Sequence, residues 1–108
     1  MTATIPSTGV PTAVADLLDL IAGDPLHERD REAVVTAIRD SVTDGFVDPN
    51  VVRELIPTWV YPRVVGAVYH SLAAAGVIAP HDWVISTDRR GKNSGRPARR
   101  YRWIGVAA

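Results

Sequence analysis

A chain of 108 residues, 46% apolar and 22% charged, is large enough for one domain with a core of its own and too short for two, and this balance excludes global disorder. Twelve basic residues offset twelve acidic ones, and no apolar run approaches the roughly 18–20 residues of a membrane span, so no membrane partner is expected. The lack of Cys excludes disulfides, thiolate nucleophiles and every Cys-ligated metal site. The start, MTATIPSTGVPTAV, has neither the basic nor the apolar region of a signal peptide, so a cytoplasmic protein is expected. Residues 1–11, with Pro6, Gly9 and Pro11 among Thr and Ser, read as a flexible arm. Residues 12–23 read as an accessory helix, capped by Thr12, running from about Ala13 to Ala22 and stopped by Gly23. Its apolar residues Val14, Leu17, Leu18 and Ile21 fall at i, i+3, i+4 and i+7 and make one stripe. That stripe either packs on its own domain or pairs with a second copy, which makes it the candidate homodimer interface.

Residues 24–108 are expected to form the main domain. Asp24-Pro25 signals a turn or helix start, and a helix is predicted from about Leu26 or Arg29 to Thr43, with Val34, Val35, Ile38 and Val42 inward. Acids in HERDRE suit the dipole at its beginning, and Asp44-Gly45 ends it. Phe46-Val47 is a short extended piece. Asp48-Pro49 caps a helix reaching about Leu55, with Val51, Val52, Leu55 and Ile56 as its apolar residues, and Pro57 stops it. Thr58, Trp59 and Val60 make a tight turn. The next helix runs from about Tyr61 to Ala75, with Val65, Val68, Tyr69 and Leu72 on one face, and Gly76 closes it. The last third changes period. Trp83 to Ser86 is predicted as a strand, TDRRGKNSGRPA as a long hairpin loop, and Arg99 to Ile104 as the return strand. Alternation places Arg100, Arg102 and Ile104 on one side, and Arg99 with Tyr101 and Trp103 on the other, inward side. Trp83 and Trp103 are both expected in the core.

Zero net charge hides a division. Residues 1–57 carry four Arg against ten acids, a net of −6, and residues 58–108 carry eight basic residues against two acids, a net of +6. From Arg89 to Arg102 there are seven basic residues and no acid. Cations this dense repel one another unless something compensates them, so the block marks a polyanion-binding face.

The order helix, short strand, helix, tight turn, helix and basic hairpin resembles a winged helix-turn-helix domain. The resemblance spans about residues 28–104 and rests on DGFVDPNVVRELI, on YPRVVGAVYHSLAAAGVI and, most specifically, on GRPARRYRW. The last is similar to the second half of the wing in PadR-like and MarR-like transcription factors, and small phage-encoded or actinobacterial DNA-binding proteins share the layout. The resemblance implies a mainly α fold with a small β-hairpin wing (α+β), a winged helix-turn-helix preceded by one extra helix. It also implies double-stranded DNA as partner and transcription regulation as the role, at the nucleoid.

A helix fits the major groove, and its first residues meet base edges. The helix from Tyr61 would be the recognition helix, with Thr58, Tyr61, Arg63 and His70 as candidate DNA contacts and Gly66 and Ala67 allowing close approach. Arg63 is the strongest reader among them, since Arg can hold guanine O6 and N7 together. With no Asn, Gln or Lys beside it, affinity is expected to come mainly from the wing: Arg89, Arg90, Lys92, Arg96, Arg99, Arg100 and Arg102, on phosphates or in the minor groove. Enzyme chemistry is not expected. There is no phosphate loop, paired-glycine fingerprint or nucleophile elbow, and His27, His70 and His81 are too scattered for a metal site, so neither cofactor nor metal is predicted. Two other readings stand beside DNA binding: a winged-helix protein–protein interaction module, and single-stranded or RNA binding by stacked aromatics.

Overall fold

The computed structural model describes residues 13–21, 27–87 and 94–105. The expected arm, the Thr12 cap, the Gly23 stop, the Asp24-Pro25 turn and the wing residues Arg89, Arg90 and Lys92 lie outside them. The fold is α+β: four helices and a small three-stranded antiparallel sheet. In chain order the elements are α1 (Val14–Leu20), α2 (Glu28–Ser41), β1 (Phe46–Val47), α3 (Pro49–Leu55), α4 (Pro62–Ala74), β2 (Ile78–Ile85) and β3 (Pro97–Trp103).

Local chemistry sets most boundaries. The Asp48 carboxylate accepts from the Asn50 amide at 2.9 Å, and Pro49 follows in the first turn, so α3 begins where its cap and its ring favour it. Gly45 at φ 84° turns the chain from α2 into β1, and Gly76 at φ 80° ends α4 before β2, a conformation that a side chain would strain. The α1 stripe points into the protein's own core: Leu17 and Ile21 are buried, and Val14 and Leu18 pack beside them. The residues expected as a dimer interface are thus covered within the single chain. From α2, Val34, Val35, Ala37 and Ile38 meet Val52 of α3 and Val64, Val68 and Leu72 of α4, with Val47, Val60, Val77 and Ile78 completing the core.

On α4 the expected face is inward: Val68 and Leu72 are buried, Val65 and Tyr69 pack against the same core, and Val64 is buried beside them. On α3, Val52 is buried and Val51 and Leu55 face solvent, while Ile56, just past its end, is partly buried. Two strand expectations need correction. The second strand starts at Ile78 rather than Trp83 and passes through Pro80, which an edge strand next to a bulge tolerates; the register shifts between Pro80 and Asp82. The return strand begins at Pro97 rather than Arg99 and ends at Trp103 rather than Ile104, so the loop is shorter than expected at its second end.

β3 is central, with Arg102 opposite Phe46 on one side and Arg99 opposite Trp83 on the other. Its alternation gives the sheet two faces. Tyr101 and Trp103 pack against the core, while Arg100 and Arg102 lie on the outer face with Phe46.

Candidate nucleic-acid interface

On α4 the exposed residues Arg63, Gly66, Ala67 and His70 recur at i, i+3, i+4 and i+7, opposite the buried row. The stripe is small or polar along its whole length. A Cβ placed on Gly66 would meet nothing within 4 Å, so no internal packing requires glycine there. A mid-helix glycine costs about 1 kcal/mol relative to Ala. The turn before α4 is tied to α2: the Tyr61 amide donates to Asp30 Oδ2 at 2.7 Å, and the Tyr61 ring lies 5.7 Å from that of His27. Thr58 and Tyr61 are exposed at this corner.

The hairpin stands beside that stripe. Gly66, Tyr69, His70 and Ala73 of α4 form one wall of an open groove of about 380 Å³, and Pro80, Arg99 and Tyr101 form the other. A second cleft, of about 290 Å³, lies between α3 and the loop end of the hairpin, with Arg53 on one side and Arg96 on the other. Among the described residues, neither lining contains an acidic side chain. The fold therefore brings His70 to Arg99, and Arg96 to Arg53. It sets Arg100 and Arg102 on the opposite face of the sheet.

Arg100 is engaged within the hairpin. Its Nε and one terminal nitrogen donate to the two Asp82 oxygens, both at 2.6 Å, and its guanidinium lies 4.5 Å over the Phe46 ring. The hydrogen bond from Arg100 holds the Asp82 carboxyl below its ordinary value, and the same bond raises Arg100. Arg99 lies over Trp83, 4.0 Å from the ring centroid. Trp83 is not a core residue: it is 58% exposed, on an edge strand that only β3 flanks. Trp103, by contrast, is half-buried against the core. Arg63, Arg96 and Arg102 make no ion pair among the described residues.

Two residues that the sequence reading passed over position this region. Asn50 joins α3 to the hairpin: its Nδ2 donates to the Ile85 carbonyl at 2.9 Å, and its Oδ1 accepts from the Thr87 amide at 2.9 Å and the Thr87 hydroxyl at 3.2 Å. Tyr69 stacks on Tyr101, with centroids 5.4 Å apart, and joins α4 to β3. Its hydroxyl is buried with no hydrogen-bond partner among the described residues, and burial pushes the phenol far above its ordinary range. No grouping of three or more His, Cys, Asp or Glu able to hold a metal occurs among the described residues, and no described helix is long and apolar enough to cross a membrane. No protein-family model matches the chain, and no curated protein or solved structure matches it either.

Proposed function

We propose that the chain is a double-stranded DNA-binding protein of the winged helix-turn-helix type, acting as a transcriptional regulator at the nucleoid. The observation that carries this reading is the pairing of the small, polar stripe on α4 with a groove walled by the hairpin, whose described lining holds no acid. In this reading α4 enters the major groove, with Arg63 toward base edges and Gly66 and Ala67 against the duplex. Glycine at an open position of α4, where the protein itself gains nothing from it, supports a close approach from outside. Arg96 and Arg99 then track phosphates on the α4 side, and Arg102 meets them from the outer face.

Fluorescence anisotropy with a mixed-sequence duplex across a salt series tests this. Each phosphate-bound cation removed should flatten the log K against log salt slope by about 0.9. The double variant Arg63→Ala/Arg96→Ala should flatten it by roughly 1 to 2 units, whereas Arg100→Ala, whose guanidinium is held by Asp82, should change it least. A folded wild-type protein that binds no duplex at low salt would overturn the reading.

A protein-interaction module is the second reading, and one observation favours it. Leu55 and Trp59, 47% and 49% exposed, form with Pro57 one wall of an open groove against Ala33, Thr36 and Ala37 of α2. No described hairpin or α4 residue lines it, so a protein partner there would leave the α4 face uncovered.

A further inference from the structure

We infer that Trp83 and Arg99 form a stacking platform for an unpaired base, so that the α4–hairpin face binds a single strand as well as a duplex. This rests on the nucleic-acid reading above and names a second substrate form for the same face. The indole is 58% exposed with the Arg99 guanidinium already 4.0 Å from its centroid, so flat aromatic area remains open to solvent beside a fixed cation. Ile85, two residues along the same strand and 63% exposed, extends the apolar surface toward the loop. Arg99 belongs both to this pair and to the wall of the groove that holds His70.

A strand lying along this face would thus meet His70 and Arg99 with its phosphates and Trp83 with one base. Base stacking on an aromatic face tolerates any sequence, and a cation beside the ring strengthens it. A paired base has both faces covered by its neighbours and cannot use the platform. The charge also fits: the described groove lining has no acid, and Asp82, the carboxylate on β2, is held by Arg100 on the other face of the sheet. The contrary account is that Trp83 and Arg99, directly opposite across the strands, only stabilise the hairpin. That account predicts altered stability with no change in strand binding.

The experiment uses the full chain and a DNA strand of about 12 nucleotides carrying 2-aminopurine, with its duplex as comparator. Binding of the strand to wild type should quench the 2-aminopurine fluorescence. Trp83→Ala should weaken strand binding about tenfold and abolish the quench, while Trp83→Phe stays within about threefold and duplex affinity holds in both. A thermal melt of each variant reports its folding, and the wild-type quench decides the matter even where Trp83→Ala does not fold. Strand binding without quenching, or equal loss of strand and duplex binding in Trp83→Ala, overturns the platform. Duplex binding with no strand binding overturns it too and leaves the DNA-binding reading intact. Binding of neither overturns both.

Discussion

In the helical body, Leu17, Val34, Val35, Ile38 and Leu72 are each fully buried, and apolar contact joins α1, α2, α3 and α4. Beyond Ile78 the picture changes. From Ala79 onward, Ser86 is the one buried residue among those described, and the hairpin is held by the Asp82–Arg100 pair, by Arg99 on Trp83, by Arg100 on Phe46 and by the Asn50 clasp. Burial stabilises the first region, and oriented polar groups stabilise the second. A count of hairpin cations therefore overstates what is available to a polyanion. Arg100 is already neutralised, and Arg99 is held against an aromatic ring. The same interactions make the hairpin a defined surface, where a run of repelling cations alone would not.

The largest expected effect breaks the first half of this contrast. Leu72→Ala removes a fully buried side chain at the meeting of α4 with the core and should cost about 2–5 kcal/mol of global stability. Urea unfolding should show a lower midpoint with the slope unchanged. A loss below about 1 kcal/mol would mean that the body collapses around the gap and is less tightly packed than its burial implies. A smaller and more local effect is expected at the joint. Asn50→Ala removes three hydrogen bonds between α3 and the hairpin, yet these lie near solvent, so about 1 kcal/mol is expected. Amide exchange should quicken at Thr87 and hardly at all at Val68. Uniform quickening would show that the two regions unfold as one unit.

The same division explains what was legible in the sequence. Asp48-Pro49, Gly45 and Gly76 act through their own backbone, so α3 and the ends of α2 and α4 follow from a few adjacent residues. The inward direction of the α1 stripe was not decidable from its spacing, because a stripe looks the same whether it meets its own core or a second copy. The start of β2 was hidden because Pro80 and His81-Asp82 have turn chemistry, and only pairing with β3 draws them into a strand. Trp83 has the chemistry of a core residue, and its exposure goes with the edge position of β2, which is set only when the sheet forms. Asn50 and Thr87 are 37 residues apart, and Asp82 and Arg100 are 18 apart, so neither contact has a local signature. The candidate contacts divide in the same way. Exposure of Arg63 and His70 follows from helical period, whereas the separation of Arg99 from Arg100 onto opposite faces matters only once the bulge has put Asp82 opposite Arg100.

The smallest expected effect sharpens the second half of the contrast, and it is read through pH. The hydrogen bond from Arg100 keeps the folded-state pKa of Asp82 below its unfolded value, which is about 3.9 for an ordinary Asp. A carboxylate depressed in this way stabilises the folded state at every pH above the unfolded value. That contribution fades as pH falls from about 4 toward the depressed value, because the proton taken up there breaks the charge-assisted bonds. Other carboxylates titrate in the acid range too, so the wild-type curve alone does not isolate the pair. The difference between wild type and Asp82→Asn does. At neutral pH the variant should melt slightly lower and its β2–β3 amides should exchange faster. Once the pH falls below that depressed value the two proteins should converge, since both then carry a neutral side chain at position 82. A gap that persists unchanged at low pH would locate the loss in the shape of the side chain rather than its charge, and Arg100 would then have to be counted among the cations available to a polyanion.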